Sequence, residues 1–160
     1  MILYVLRHGH AVTHWVLGPD EERPLSREGR LKVSHILAAA SGLGFKADRI
    51  ISSPYRRALE TAEIAKKALK VGLAIAETEW LEPDSTPYEL YSYLAKQDFG
   101  PDEGILMVSH QPLVSGLLSD LLGFGANISF PPASMARIDL SVEPSTRAGT
   151  LVWAISSNVL

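Results

Sequence analysis

The sequence contains no cysteine among its 160 residues. Disulfide bonds, thiolate-ligated metal centres, iron–sulfur clusters and cysteine nucleophiles are therefore excluded. It also lacks any apolar run close to the roughly 20 residues that a membrane-spanning helix needs. The apolar stretch at residues 1–6 ends at Arg7 and has no basic segment before it, so it does not have the form of a secretory signal. We expect a soluble protein of the cytoplasm.

The sequence likewise has no excess of positive charge. Fifteen Lys and Arg stand against eighteen Asp and Glu, for a net charge of −3. This balance does not favour a partner such as nucleic acid or an anionic membrane. The 46% apolar and 21% charged residues are typical of a globular chain. With no repeat, linker or low-complexity tract, the length predicts a single domain over residues 1–160.

Short apolar runs alternate with helical patterns along the chain. Strands are predicted at residues 2–6, 49–51, 71–76, 105–108, 136–142 and 151–155. Helices are predicted after a cap at Ser26, after a cap at Ser53 with Pro54 at the first helical position, after the capping box that starts at Thr86, and through residues 114–121. The alternation predicts an α/β fold with a mostly parallel sheet, helices on both faces and an antiparallel edge from the last two strands.

Arginine and histidine follow three of these predicted strands. Arg7 and His8 come after the first strand, Arg57 lies shortly after the second, and His110 follows the strand at residues 105–108. Ligands of open α/β sheets bind beyond the carboxyl ends of the strands, and helix N-termini there add partial positive charge. The sequence therefore predicts an anion pocket in a chain that is acidic overall.

A phosphoryl group suits such a pocket. The planar fork of arginine matches phosphate oxygens, and two arginines neutralise a dianion. A neutral histidine can attack phosphorus directly and form a covalent intermediate. Because nearby guanidinium groups disfavour its protonated form, we expect His8 to be an unprotonated nucleophile near neutral pH.

Three segments, in this order and spacing, resemble the histidine phosphatase superfamily. They are Leu6-Arg7-His8-Gly9, the stretch SPYRRALET at residues 53–61, and Val108-Ser109-His110. Within that superfamily, Arg23-Pro24-Leu25-Ser26 and the stretch SHQPLV at residues 109–114 resemble the bacterial phosphohistidine phosphatases of the SixA type. The resemblance covers nearly the whole chain. It implies a three-layer α/β/α fold like that of phosphoglycerate mutase.

The resemblance also implies roles for individual residues. His8 would be the phosphorylated nucleophile, while Arg7, Arg57 and His110 would bind the phosphoryl oxygens and stabilise the transition state. Arg23 would contact the phosphate or the substrate from the first loop. The implied reaction removes phosphoryl groups from phosphorylated protein histidine and uses neither a metal nor an organic cofactor.

The general acid is the point at which the pattern departs from that family. Related small phosphatases often have an acidic residue after the R-H-G triplet, where this chain has His10. We rank Glu82 and Asp84 first as proton donors; the first loop offers Asp20, Glu21 and Glu22 as alternatives. A phosphoramidate leaving group is easier to expel than an alkoxide, so a weak acid favours phosphohistidine over phosphoserine as substrate.

Other functions stay open from the sequence. The chain could be a phosphomonoesterase for small phosphorylated molecules in the same superfamily, or a non-catalytic module that binds phosphorylated partners. A metal cluster of His8, His10 and His14 is disfavoured, because their spacing is irregular for one helix face. Trp15 lies beside the motif, either at the pocket mouth or as a hydrophobic anchor.

Overall fold

The structure is a computed structural model, and it describes residues 1–69, 72, 74–123, 125, 128–141 and 149–158. The described strands are β1 (Ile2–Arg7), β2 (Arg49–Ser52), β3 (Ile75–Glu77), β4 (Gly104–Ser109), β5 (Met135–Leu140) and β6 (Gly149–Ile155). The described α-helices are α1 (Arg27–Gly42), α2 (Arg56–Leu69), α3 (Pro87–Leu94) and α4 (Leu113–Leu122). Short 3₁₀ helices cover Asp20–Glu22 and Glu79–Leu81. Among these described helices, none is long and apolar enough to span a bilayer.

The strands form one sheet in the order β3-β2-β4-β1-β5-β6. The pairs β1–β4, β2–β4 and β2–β3 are parallel, whereas β5 is antiparallel to both β1 and β6. The predicted α/β fold with a mostly parallel sheet and an antiparallel edge is confirmed.

Each face of the sheet has its own apolar core. Side chains of α1 and α2 such as Val33 and Ala62 pack on one face, and those of α3 and α4 such as Leu90 and Leu117 pack on the other. Strand β4 lies in the middle and is buried along its whole length. A strand covered on both faces needs apolar side chains at every position, which explains its continuous apolar run.

The predicted helix ends match the chemistry of their caps. The Ser26 side chain accepts the Gly29 N–H at 3.0 Å at the start of α1. Thr86 and Glu89 form the predicted capping box of α3. Gly123 ends α4 in the left-handed conformation, with φ of 75°, which glycine adopts without a steric cost.

The structure corrects the start of the second helix. Helix α2 begins at Arg56 rather than after a cap at Ser53, and the first turn is closed by the Ala58 and Leu59 N–H groups on the Tyr55 carbonyl. The Ser53 hydroxyl instead accepts the Tyr55 N–H at 3.3 Å and contacts His110. Because the Ser53 hydroxyl binds Tyr55 and His110, which both lie outside α2, it does not cap this helix, and the predicted cap is wrong.

Strand boundaries also differ from those predicted. Strand β3 covers residues 75–77, so it shares only 75 and 76 with the predicted region and extends one residue past it; residues 71 and 73 lie outside the described part of the chain. Strand β5 runs from Met135 to Leu140, and predicted residue 142 is likewise outside the described residues. Strand β6 begins two residues early, at Gly149.

Helix α1 presses closely on the loop that follows β1. A Cβ atom on Gly29 would lie 2.1 Å from the backbone oxygen of His10, and one on Gly9 would lie 2.7 Å from Val33 Cγ2. The same His10 oxygen accepts the Ser26 N–H at 2.9 Å. Glycine at both positions therefore lets α1 fix the path of the backbone directly after His8.

We predict that Gly29→Ala lowers the free energy of unfolding by about 1–3 kcal/mol, the usual cost of overpacking. The contact is with backbone, so it cannot be relieved by a rotamer change. Urea denaturation measures the effect. Gly42→Ala on the same helix is the control, because no atom lies within 4 Å of its Cβ position, and its midpoint should stay equal or rise slightly. Equal midpoints for Gly29→Ala and the parent protein would contradict the close approach.

Candidate active site

Parallel pairing of β1 with β4 brings the two histidines together. Arg7 lies opposite Ser109 in the register, so His8 and His110 follow at the same edge of the sheet. The His8 N–H donates to the Ser109 carbonyl at 3.0 Å, and the His8 carbonyl accepts the Ala133 N–H at 3.0 Å. The centroids of the two imidazole rings are 4.7 Å apart.

Arg57 enters the site from the first turn of α2. Its side chain is only 5% exposed, and its guanidinium lies over the Tyr55 ring at 4.9 Å. Nη1 donates to the Asp20 carbonyl at 2.8 Å, and Nη2 lies 2.9 Å from Asp20 Oδ2. Because the Tyr55 ring is also 5.1 Å from that of His110, this tyrosine joins the arginine to the histidine pair.

Arg7 is held at the opposite side by the loop before β5. Its Nη1 donates to the Phe130 carbonyl at 2.8 Å, an oxygen that also accepts Nε2 of Gln111 at 3.2 Å. Burial lowers the pKa of Arg7, and the same cause lowers that of Arg57. Both arginines are partly desolvated cations at the edge of the sheet.

The hydrogen bonding of His8 defines which nitrogen is free. Nδ1 lies 2.7 Å from the Gly9 carbonyl oxygen, which can only accept, so we assign the proton to Nδ1 and the lone pair to Nε2. The pKa of His8 is lowered to about 3, chiefly by burial; the guanidiniums of Arg57, Arg7 and Arg23 act in the same direction, and the hydrogen bond to the Gly9 carbonyl opposes them. His8 is therefore a neutral imidazole at pH 7, with an unprotonated Nε2.

His110 has the complementary arrangement. Its Nε2 lies 2.8 Å from Ser53 Oγ, and that oxygen already accepts the Tyr55 N–H. We therefore assign the Ser53 hydroxyl as donor and His110 Nε2 as acceptor in this contact, which places the imidazole proton of His110 on Nδ1. Burial, followed by His8 and the arginines, lowers the pKa of His110 to about 2. This residue thus offers a neutral N–H donor.

Unpartnered nitrogens are concentrated at this site. In the described part of the chain, six buried side-chain polar atoms have no hydrogen-bond partner, and four of them are Arg7 Nε, Arg23 Nε, Arg57 Nε and His110 Nδ1. Arg23 Nε lies 2.9 Å from Asp20 Oδ1 but is not aligned for a hydrogen bond. Buried donors without partners are costly and rare. Four nitrogens in one place therefore point to an anion that accepts from them.

The two carboxylates ranked first as general acids lie on the Tyr55 side of the site. Glu82 follows the second 3₁₀ helix and is half-buried, whereas Asp84 is exposed. Ser109, the residue before His110, donates its hydroxyl to the Leu81 carbonyl at 2.7 Å, which anchors the backbone next to Glu82. Burial raises the pKa of Tyr55, and the charges of Glu21, Glu82 and Asp84 raise it further.

Residues in the SPYRRALET stretch hold the site together in ways that sequence reasoning missed. Thr61 Oγ1 accepts the Gly9 N–H at 3.2 Å and donates to the Arg57 carbonyl at 2.7 Å. Glu60 accepts the Leu25 N–H at 2.7 Å and pairs with exposed Arg56 at 3.1 Å. The sequence feature that could have indicated these two residues is their place inside the stretch at residues 53–61. Arg56 itself is exposed at the surface beside the site.

Asp20 is the other missed contact. Asp20 pairs with Arg57 and Arg23. The sequence shows only that the first loop is acidic, and it offers Asp20 as one of several alternative proton donors, so these ion pairs could not be predicted.

Trp15, His10 and His14 show no hydrogen bond or ring contact with the histidine pair in the described part of the chain. Trp15 is half-buried and donates Nε1 to the Pro19 carbonyl at 3.0 Å, so it packs within its own loop. His10 lies near Glu28, and His14 is exposed. Within the described ranges, no three His, Asp or Glu side chains are grouped so that they could hold a metal ion.

A mixed sheet with two imidazoles and several guanidiniums at the carboxyl ends of its parallel strands is typical of an α/β enzyme that acts on phosphoryl groups. Residues 3–89 match the family model of the histidine phosphatase superfamily (branch 1). The chain belongs to this superfamily, and it is a phosphatase.

Relatives and solved structures agree with this assignment. The chain is 32% identical over 147 residues to the phosphohistidine phosphatase SixA homolog of Haemophilus influenzae, covering 86% of this chain and 87% of the relative. It is 24% identical over 156 residues to phosphohistidine phosphatase SixA of Escherichia coli (strain K12), covering 98% and 94%. A structure of the protein histidine phosphatase SixA with tungstate superposes with a TM-score of 0.88 at 24% identity over 100% of both chains. A mycobacterial glucosyl-3-phosphoglycerate phosphatase gives 0.69 at 19% identity, covering 97% of this chain and 99% of the other.

The buried histidines predict a specific loss of stability in acid. An unfolded histidine has a pKa of about 6.5, whereas the folded values are about 3 for His8 and about 2 for His110. Between pH 6.5 and 3 the unfolded chain therefore binds more protons, so stability falls as pH falls through this window.

We predict that His110→Asn reduces the dependence of unfolding free energy on pH by up to about 1.4 kcal/mol per pH unit. Urea denaturation between pH 7 and 4 measures this slope. His35→Asn, at an exposed position of α1, is the matched control and should keep the parent slope. Equal slopes for the His110 variant and the parent would show that His110 is not held neutral by burial.

Proposed function

We propose that the chain is a phosphohistidine phosphatase that hydrolyses the phosphoryl group of phosphorylated protein histidine through a covalent intermediate on His8. One observation carries this proposal: four buried nitrogens without partners belong to three arginines that act electrostatically on His8 and to His110, whose ring is 4.7 Å from that of His8, while the His8 proton is assigned to Nδ1 and leaves the Nε2 lone pair for attack. Donors that lack acceptors provide a site for phosphoryl oxygens. The free lone pair provides the nucleophile.

In the proposed first step, His8 Nε2 attacks phosphorus and the bond from phosphorus to the substrate nitrogen breaks. The substrate imidazole leaves with that bond's electron pair and takes up a proton. Arg7, Arg57 and the Nδ1–H of His110 donate to the phosphoryl oxygens as charge spreads over them. Arg23, 30% exposed at the rim, contributes charge from the first loop.

In the second step, water attacks the phosphorus of phosphorylated His8. The bond from phosphorus to Nε2 breaks, the electron pair returns to the imidazole, and inorganic phosphate is released. The arginines and His110 supply the positive charge and the donors that a metal clamp supplies in other phosphatases. We therefore expect catalysis without a metal or an organic cofactor.

We propose Glu82 ahead of Asp84 as the group that protonates the leaving atom. Glu82 is half-buried and its backbone neighbour is bound by Ser109, next to His110, whereas Asp84 is exposed. The described residues place no carboxylate in a hydrogen bond with either histidine. Such a loosely placed acid suits an imidazole leaving group, which needs less assistance than an alkoxide.

The relatives support the same substrate class. The Haemophilus influenzae relative is named for phosphohistidine, and the SixA structure contains tungstate, a tetrahedral oxyanion similar in shape to phosphate. The likeness to glucosyl-3-phosphoglycerate phosphatase favours a small-molecule phosphomonoesterase as the second candidate. Specificity for the two substrate classes separates these functions.

We predict that brief mixing with a phosphohistidine protein leaves an acid-labile phosphate on His8. Rapid quench followed by mass spectrometry under alkaline conditions locates it. His8→Ala should abolish turnover and labelling, while its free energy of unfolding, measured in urea, should fall by no more than about 0.5–3 kcal/mol, the usual cost of a point mutation, which leaves the chain folded. Tight substrate binding without turnover in the parent protein would instead indicate a non-catalytic module, and a label on another residue would contradict the mechanism.

A second prediction separates the substrates. Glu82→Gln should lower kcat for a phosphoserine peptide by about 10²-fold, the usual contribution of general acid catalysis, and lower kcat for a phosphohistidine protein far less. Asp84→Asn, with the same change of charge nearby, serves as the control and should have little effect on either. Equal losses for both substrates in the Glu82 variant would contradict the proposed role of the leaving group. A higher kcat/KM for sugar phosphates than for phosphohistidine would favour the small-molecule function.

A further inference from the structure

The carboxylate of Asp20 covers the most buried cation of the site. Oδ2 lies 2.9 Å from Arg57 Nη2, and Oδ1 lies 2.9 Å from Arg23 Nε. The Asp20 side chain is 56% exposed, whereas the Arg57 side chain is 5% exposed. The acid thus sits on the solvent side of a buried guanidinium and bridges it to the second arginine.

A carboxylate and a phosphoryl group make the same kind of contact with a guanidinium fork. Asp20 therefore takes donors that a phosphoryl oxygen would use, while Arg57 Nε stays without a partner. A phosphoryl dianion brings more charge and more acceptor oxygens than one carboxylate. It can replace the carboxylate and also satisfy the unpartnered nitrogens.

We propose that the Asp20 carboxylate is a built-in competitor of the phosphoryl group, occupying the arginine pair in the free protein and leaving it when substrate or phosphate enters. This inference rests on the proposed function, because it assumes that the arginines bind the phosphoryl group. Its consequence is weaker binding of the free product. Release of inorganic phosphate is then assisted by return of the carboxylate.

The surrounding contacts allow the carboxylate to move alone. The backbone carbonyl of Asp20 separately accepts Arg57 Nη1 at 2.8 Å and the Arg23 N–H at 3.1 Å. The first loop is held at its far end by the Leu25 N–H bond to Glu60 at 2.7 Å. Rotation of the exposed Asp20 side chain therefore frees Arg57 Nη2, while the Asp20 carbonyl still holds Arg57 Nη1.

Two roles of Asp20 predict opposite results. If the carboxylate competes with phosphate, its removal tightens phosphate binding. If the carboxylate mainly positions Arg57, its removal weakens phosphate binding. Asp20→Asn distinguishes them, because it removes the charge and keeps the backbone carbonyl and the side-chain shape.

The test is titration of each full-length protein with inorganic phosphate at pH 7 and fixed ionic strength, by calorimetry. We expect Asp20→Asn to bind phosphate about 2- to 5-fold more tightly than the parent, the effect of losing an ion pair whose carboxylate is exposed to solvent. Inorganic phosphate should inhibit the variant at a correspondingly lower concentration. Asp20→Ala should change in the same direction. Glu22→Gln is the matched control: it removes the same charge from the same 3₁₀ turn, and Glu22 forms no ion pair with a described residue.

Unchanged or weaker phosphate binding in Asp20→Asn would overturn the inference, and so would tightening equal to that of Glu22→Gln. In either case turnover and labelling of His8 would still support the proposed function. Absence of phosphate binding in the parent and in every variant would overturn both, since the arginines would then bind no phosphoryl group.

Discussion

The parallel pairing of β1 with β4 is the constraint on which the site depends. Register places Arg7 opposite Ser109, and a hydrogen bond of 3.0 Å from His8 to the Ser109 carbonyl extends that pairing by one residue. Two histidines about a hundred positions apart in sequence thereby become neighbours. The close approach of α1 at Gly29 and the two bonds of Thr61 fix the loop after His8 against both helices of that face.

Burial then determines the chemistry of the paired imidazoles. Desolvation is the largest cause of the lowered pKa of both His8 and His110, and the neighbouring guanidiniums act in the same direction. The positive charge of the guanidiniums thus helps burial to keep both imidazoles unprotonated. Backbone and hydroxyl partners orient the two rings differently, so that one presents a lone pair and the other an N–H donor.

Much of this arrangement could be predicted from sequence. The Arg7-His8 and Ser109-His110 pairs each stand at the carboxyl end of a predicted strand. Because parallel strands end at the same edge of a sheet, the sequence predicts that these pairs lie close together. The start of α2 could not be predicted, because the Ser53 hydroxyl is engaged by a histidine that is remote in sequence. The same applies to Asp20, since an acidic residue in an aperiodic loop carries no pattern that specifies its partner. Local signals define caps and strands, whereas contacts between distant loops depend on the assembled fold.

The central claim is that the unpartnered nitrogens of Arg7, Arg57 and His110 converge on one anion in front of His8. A crystal structure of the protein with bound tungstate tests it most directly. We predict a single oxyanion within hydrogen-bond distance of Arg7 Nε, Arg57 Nε and His110 Nδ1, with His8 Nε2 directed at its central atom. An oxyanion bound elsewhere, or a pocket in which these nitrogens contact only protein groups, would contradict the account.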